Sequence, residues 1–293
     1  MQRIKLNNTS ENDDQKTKKR ENRLNDLTGA EWVQFSKSVW RFKQPVRNNY
    51  GHPAIFPEFI AKRLIKMFTK RGDFVFDPMV GIGTTVVVSR NLDRSALGIE
   101  LSEKWSNIAK GRLEESPKPI ETWFDSDEIT RISNYHKIIY DDARNLLSHV
   151  EKESVDFCLT SPPYWIGLHG INGKYTGQTE KEWKIYSEDS RDLGNIRNYN
   201  EFISELEKIY RLVFEVLKNG KYFVVIVQDS RRGSEVFTIH IDMIRICKEI
   251  GFEYQDMIIW EHPHYTTRPL GYPTTMVISR VHDFILVFRK PKK

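Results

Sequence analysis

Hydrophobic and polar positions along the chain form two patterns. One is a short continuous apolar run, and the other is a longer stretch in which apolar residues recur at helical spacing. Short runs bounded by polar residues predict buried strands, whereas the stripes predict amphipathic helices. The predicted strands are 73–78, 95–101, 137–140, 154–159, 221–229, 253–261 and 280–290. The predicted helices are 57–68, 83–92, 103–115, 199–220 with a glycine stop, and 239–252.

A further helical stripe is predicted near the N-terminus. Trp32, Phe35, Val39 and Trp40 recur at spacings typical of one helix face. Thr28, with a glutamate three residues later, predicts the capping box that begins this helix.

The alternation of strands and helices predicts the architecture. It favours an α/β protein with a mostly parallel, Rossmann-like sheet and helices on both faces. Residues 1–24 are polar throughout and predict a flexible tail, so we expect a single domain over 25–293. Residues 165–200 are polar, glycine-rich and much longer than an ordinary connection, which is typical of a functional lid or of a disordered excursion.

Composition adds the class of protein. Of 293 residues, 39% are hydrophobic and 29% charged, and no apolar run approaches the roughly 20 residues of a membrane span. We therefore expect a soluble, cytoplasmic protein. Cys158 and Cys247 both lie in apolar segments and predict core positions, not a disulfide or a metal site. A net charge of +5 is compatible with a polyanionic partner without requiring one.

Acids and glycines follow the predicted strands in a pattern typical of nucleoside binding. In "FDPMVGIGTT", Asp77 ends a strand, and Gly81 and Gly83 let the backbone approach a ligand. Glu100 ends the next strand, where it is placed to accept hydrogen bonds from ribose hydroxyls or to cap the following helix. Asp142, after the third strand, is placed to accept a bond from an adenine amino group.

No phosphate-binding loop accompanies this pattern. The glycine motif lacks both the Gly-Lys-Ser/Thr of a P-loop and the complete dinucleotide fingerprint. An adenosine pocket without a phosphate cradle suits S-adenosyl-L-methionine better than a dinucleotide.

The stretch "TSPPYW", residues 160–165, ends a predicted core strand in a rigid turn. The Ser161 hydroxyl and the Pro162 carbonyl are two acceptors that the prolines hold in place for an exocyclic base amine. Tyr164 offers a stacking face for a base removed from its duplex. The alternative is a Pro-Pro turn with an aromatic ring packed beneath it, and Trp165 is either a second wall of that pocket or packing.

These motifs together resemble the amino-methyltransferases that modify DNA bases. "TSPPYW", "FDPMVGIGTT" and "ALGIEL" are similar to the cytosine-N4 branch, in which Ser begins the S-P-P-Y motif. The resemblance implies a seven-stranded sheet ending in an antiparallel hairpin, the class I methyltransferase fold, and S-adenosyl-L-methionine as cofactor. It also implies that residues 52–78 wall the methionine end of the cofactor. Met79 departs from the usual Phe, and the cofactor half precedes the catalytic half.

The site residues that the motifs and the resemblance imply fall into three groups. The catalytic residues are Ser161, Pro162, Pro163 and Tyr164. The cofactor-binding residues are Asp77, Pro78, Gly81, Gly83, Thr84, Thr85, Glu100, Leu101, Asp142, Ala143 and Thr160. The candidate substrate-binding residues are Trp165, His169, Lys174, Arg231, Arg232, His264 and Arg268.

Target recognition is expected in residues 165–200, 230–236 and 261–275. "HPHY" in the last of these lacks further ligands nearby, so no metal site is expected. The expected partners are DNA and a cognate restriction endonuclease, with the protein a monomer or weak dimer. Adenine-N6 methylation is the main alternative, followed by an RNA base as substrate and by a DNA-binding subunit without catalysis.

Overall fold

The computed structural model describes residues 24–42, 50–52, 55–116, 135–165, 189–232, 235–262, 273–274 and 276–292. Its α-helices are α1 (Gly29–Phe35), α2 (Glu58–Phe68), α3 (Thr84–Arg90), α4 (Glu103–Glu115), α5 (Tyr199–Val216) and α6 (Ile239–Ile250). Its strands are β1 (Val39–Arg41), β2 (Phe74–Asp77), β3 (Ser95–Glu100), β4 (His136–Tyr140), β5 (Val155–Thr160), β6 (Leu217–Val227), β7 (Ser230–Arg232), β8 (Glu235–Phe237), β9 (Glu253–Glu261) and β10 (His282–Arg289).

Eight strands of the described residues form the main sheet, in the order β1-β9-β10-β6-β5-β2-β3-β4. The pairs from β4 through β6 are parallel, whereas β10 is antiparallel to both β6 and β9. The predicted mostly parallel sheet with a terminal antiparallel hairpin is confirmed, with one strand more than the seven expected. The described residues of the 230–236 stretch lie in β7 and β8, which pair antiparallel and separately from the main sheet.

The additional strand corrects the prediction for the N-terminal stripe. The Thr28–Glu31 capping box is present, but α1 ends at Phe35, and Val39 and Trp40 lie in β1. β1 pairs in parallel with β9, and Trp40 is buried between two exposed neighbours, which is strand periodicity. Strand pairing with the edge of β9 therefore overrides the helical spacing that predicted a continuation of the helix from Phe35 to Trp40.

A second correction concerns the end of α5. The helix ends at Val216, and β6 begins at Leu217, so Gly220 lies within a strand and is not the predicted helix stop. The Gly220 amide donates to the Lys290 carbonyl at 2.9 Å, beyond the last strand of the sheet. A long-range backbone pair thus decides an ending that the local glycine signal placed four residues later.

Helices cover both faces of the sheet. α5 and α6 pack on one face over a core that includes Phe76, Phe223 and Leu286, and α2, α3 and α4 pack on the other. Each fully buried large apolar side chain contributes about 1.5–3 kcal/mol relative to exposure. Cys158 and Cys247 are free and buried, as predicted. No helix in the described ranges is long and apolar enough to cross a membrane.

Gly98 lets the turn after β2 lie directly on β3. A Cβ added at Gly98 would stand 2.7 Å from the Cβ of Val80, closer than side chains pack. The Val80 amide donates to the Ile99 carbonyl at 2.9 Å, so the turn is pinned to the strand by its backbone as well. This contact brings the residues after β2 beside the end of β3.

Gly98→Ala should destabilise the protein by about 1–3 kcal/mol, because Val80 and the turn must shift to accommodate the methyl group. Gly111→Ala is the matched control, since nothing lies within 4 Å of the added methyl and the residue is in α4. It should be neutral or stabilising by up to about 1 kcal/mol. Urea denaturation measures both, and equal midpoints for the two variants would contradict the packing argument.

Candidate active site

One cavity lies where β2, β3, β4 and β5 end at the same edge of the sheet. Nine of the predicted site residues line it: Pro78, Gly81, Glu100, Leu101, Asp142, Ala143, Ser161, Pro162 and Pro163. Nine further lining residues were not among those predicted: His52, Met79, Ser102, Trp105, Arg144, Arg191, Asp192, Leu193 and Ile209. In open parallel sheets this edge is where ligands bind.

Several predicted cofactor residues do not line this cavity. They share burial behind its wall: Asp77, Gly83, Thr84, Thr85 and Thr160. The Asp77 carboxylate accepts from the Thr85 hydroxyl at 2.6 Å and from the Met79 amide at 3.1 Å. Burial raises the pKa of Asp77 to about 6, against these hydrogen bonds. Asp77 therefore closes the turn from β2 into α3 and shapes the site from behind.

Glycine is required at two positions of this turn, and the structural cause differs between them. Gly81 (φ +55°) and Gly83 (φ +82°) both adopt left-handed backbone conformations. Gly81 lines the cavity, as expected of a residue where a ligand approaches. A Cβ at Gly83 would instead stand 2.9 Å from that of Ala109 in α4. Gly83 thus serves close packing of α3 against α4, and its predicted contact with a ligand finds no support in this geometry.

Glu100 joins the turn to the end of β3. One carboxylate oxygen accepts from the Gly81 amide and the other from the Ser102 amide, both at 2.8 Å. Glu100 therefore lines the cavity and also holds the entry to α4, and its predicted bond to ribose hydroxyls stays a prediction. Burial raises the pKa of Glu100 to about 7.

Asp142 lines the cavity after β4 and is held by Arg144. Its Oδ1 accepts from the Arg144 amide and Nε at 2.9 Å each, and its Oδ2 accepts from Nη2 at 2.8 Å. Such paired bonds between a guanidinium and a carboxylate fix orientation as well as distance. Asp142 is therefore a pre-oriented acceptor at this wall.

The rigid turn after β5 faces the cavity. β5 is buried along its whole length, and Ser161, Pro162 and Pro163 line the cavity directly after it. Tyr164 is half-buried. The prolines end the strand, because they lack the amide that would continue the ladder.

The structure decides between the two alternatives for Trp165. The ring is only 2% exposed and packs in the core between α5 and the second hairpin, 4.9 Å from Tyr199 and 4.5 Å from Phe237 between ring centroids. It is therefore packing, not a second wall of a substrate pocket. Its position after two prolines carried no signal that could separate these alternatives.

Other predicted substrate residues are placed only in part. Arg231 is half-buried in β7, and Arg232 follows it in the same strand. His169, Lys174, His264 and Arg268 lie outside the described residues, as do most of 165–188 and 263–272 and the tail over 1–23. Within 165–200, however, Arg191, Asp192 and Leu193 line the cavity.

His52 and Trp105 form a wall that the motifs did not single out. Their rings meet edge to face at 4.6 Å, and His52 is only 8% exposed. A Cβ at Gly81 would stand 3.4 Å from His52 Nε2, so the imidazole faces the glycine turn. The resemblance implied that residues 52–78 wall the methionine end of the cofactor, but it assigned no role to the His52 side chain.

The sequence matches the family model of the N6/N4 DNA methylases over residues 3–111 and 155–293. The type II methyltransferase M.BglI of Bacillus subtilis is 36% identical over 91 residues, covering 31% of this chain and 26% of that protein. M2.DpnII of Streptococcus pneumoniae is 44% identical over 63 residues, covering 22% and 24%. The matched stretches thus span about a quarter of the length of these relatives.

Among solved structures, the chain is similar to TTHA0409 of Thermus thermophilus, assigned as a DNA modification methylase and solved with S-adenosyl-L-methionine. The identity is 30%, the alignment covers 52% of this chain and 54% of that one, and the TM-score is 0.37. The family model, by contrast, spans well over half of the sequence and both motif regions. The chain belongs to the N6/N4 DNA methylase family.

Proposed function

We propose that the protein transfers a methyl group from S-adenosyl-L-methionine to the N4 amine of a flipped-out cytosine in DNA. One observation carries the proposal: Ser161, Pro162 and Pro163 open into the same cavity as Glu100 and Asp142. A base amine held at the rigid turn therefore meets a ligand bound between the two acids.

The residues present fit S-adenosyl-L-methionine. Glu100 and Asp142 are acceptors suited to ribose hydroxyls and to an adenine amino group, and Trp105 and Leu101 supply apolar wall. The carboxylates of Glu100, Asp142 and Asp192 line the cavity together with Arg144 and Arg191, and these carboxylates suit a sulfonium cation. The bound cofactor supplies an electrophilic methyl group.

The turn makes the amine reactive. The lone pair of a base amine is delocalised into its ring, so it attacks poorly. Acceptors at the Ser161 hydroxyl and the Pro162 carbonyl draw its protons and favour a pyramidal nitrogen. The N–C bond then forms as the S–C bond breaks, and one proton leaves the nitrogen to solvent. Holding the reacting atoms in line supplies much of the acceleration.

Stacking on Tyr164 holds the base while it is outside the duplex. Serine at position 161 favours cytosine, because the turn resembles the cytosine-N4 branch, although adenine-N6 methylation uses the same geometry. A cognate restriction endonuclease is the proposed functional partner, since the relatives named above are type II methyltransferases.

Incubation with labelled S-adenosyl-L-methionine and DNA of mixed sequence should yield N4-methylcytosine, identified by mass spectrometry of the digested nucleosides. N6-methyladenine as the sole product would replace the cytosine assignment by the adenine one. Transfer to RNA alone would change the substrate class. No transfer to either nucleic acid, with DNA binding retained, would indicate a non-catalytic subunit.

Ser161→Ala should lower kcat roughly 100-fold, because one of the two acceptors for the amine is lost. Cofactor affinity should change little. Ser154→Ala is the matched control, since Ser154 precedes the opposite end of β5 and its hydroxyl bonds only locally to the Glu151 carbonyl. Wild-type turnover in Ser161→Ala would remove the hydroxyl from the mechanism.

Tyr164→Ala should cost about 1–3 kcal/mol in kcat/KM for DNA, because the base loses its stacking partner.

Cofactor affinity should fall as pH drops below about 7, where Glu100 becomes protonated. The sign follows from its raised pKa: the carboxylate is ionised above that pH, and only this form accepts freely from ribose hydroxyls and attracts a sulfonium. The loss approaches about tenfold per pH unit below the pKa. Calorimetry between pH 6 and 8 measures it. Glu100→Gln should bind more weakly with little pH dependence, whereas Glu115→Gln, exposed at the end of α4, should behave as wild type.

A further inference from the structure

Arg144 lies on the cavity wall and joins three elements there. It occupies the first turn of a short 3₁₀ helix, Ala143–Ser148, directly after Asp142. Besides its paired bonds to Asp142, its Nη1 donates to Glu205 of α5 at 2.9 Å. Its Nη2 also donates to the Arg191 carbonyl at 2.7 Å. The guanidinium thus ties the end of β4 to α5 and to the segment 189–195.

Both carboxylates that hold Arg144 are largely shielded from water. The side chain of Asp142 is 9% exposed and that of Glu205 is 16% exposed, whereas that of Arg144 is 31% exposed. Ion pairs in such surroundings are less screened than surface pairs, and the planar fork of arginine matches two oxygens at once. A lysine at this position keeps the charge but loses the fork.

The bonds to Arg144 leave Asp142 with a restricted choice of partners. A carboxylate offers about four acceptor sites. Arg144 takes two at Oδ1 and one at Oδ2, so one further donor can be accepted in a defined direction. A donor such as an exocyclic amino group satisfies that site, whereas a carbonyl oxygen in the same place would face a negative charge.

The bond to the Arg191 carbonyl fixes a second wall. Arg191, Asp192 and Leu193 all line the cavity, and the Asp192 side chain accepts from the Gly194 amide to close the turn there. The same guanidinium therefore sets both the acceptor and the wall beside it.

We propose that Arg144 is a positioning residue for nucleobase selection: it orients Asp142 and the 189–195 wall so that the cavity prefers adenosine over inosine. The inference rests on the proposed function, because it takes S-adenosyl-L-methionine as the occupant of the cavity. It goes further than the proposed function because it assigns the preference to Arg144, which holds the Asp142 carboxylate, and not to Asp142 alone.

The test compares the full-length protein with Arg144→Ala and Arg144→Lys by calorimetry. The probes are S-adenosyl-L-homocysteine and S-inosyl-L-homocysteine, which differ at the position of the amino group. The wild type should prefer the adenosine compound at least about tenfold, as expected of a site that hydrogen-bonds its ligand. Arg144→Ala should weaken the adenosine compound about tenfold and remove most of that preference.

Arg144→Lys separates positioning from stability. It should restore the melting temperature of the free protein towards wild type without restoring the preference, because a single ammonium cannot orient both carboxylate oxygens. The matched control is Arg211→Ala, which removes an arginine paired with Glu207 on the exposed side of α5. It should leave both affinities unchanged.

The outcomes separate the two proposals. Wild-type protein that binds neither compound would overturn the proposed cofactor, whatever Arg144 does. Wild-type protein that prefers adenosine, with the same preference in both Arg144 variants, would overturn the positioning role alone. If Arg144→Ala fails to fold, Arg144→Lys carries the test, since unchanged preference in that variant contradicts the need for the fork.

Discussion

Two backbone amides donate to the Glu100 carboxylate, and the candidate active site depends on this one junction. Through it the Gly81 turn after β2 and the entry to α4 after β3 are held at a single side chain. Gly98 makes the junction possible, because only a residue without a Cβ lets Val80 lie against β3. The arrangement costs free energy, since a buried carboxylate is poorly solvated and its pKa rises to about 7. A ligand that donates to this carboxylate compensates for the lost water.

The remaining site residues reach the same cavity because parallel strands end at the same edge. Glu100 ends β3, and Asp142 and Ser161 follow β4 and β5, although the three residues are far apart in the chain. Neighbouring strands lie about 4.8 Å apart, so side chains at successive strand ends are within reach of one ligand. Asp77 and Arg144 then act through their neighbours, the first by closing the glycine turn and the second by orienting Asp142. The chemistry of the site is thus divided between residues that face the cavity and residues that hold them.

The motifs anticipated nine of the residues that line the cavity, because strand ends followed by acids, glycines or prolines are local patterns. They did not separate Gly81 from Gly83, since the reason for Gly83 is Ala109 on another helix. Nor did they find His52, Arg144 or Arg191, whose roles arise only when distant segments meet at the cavity. The motifs left Trp165 open between a pocket wall and packing for the same reason, because its contacts with Tyr199 and Phe237 are made by chain more than 30 residues away.

By itself the sequence determined the strand and helix rhythm, the parallel sheet and the identity of the turn after β5, because periodicity and proline stereochemistry act over a few residues. The tertiary structure alone decided that Val39 and Trp40 form an eighth strand, that α5 gives way to β6 at Leu217, and that Trp165 is core. It also decided which acids face the cavity and which lie behind it. Each of these outcomes is set by a backbone pair or a packed ring from a remote segment, and no local spacing encodes such a contact.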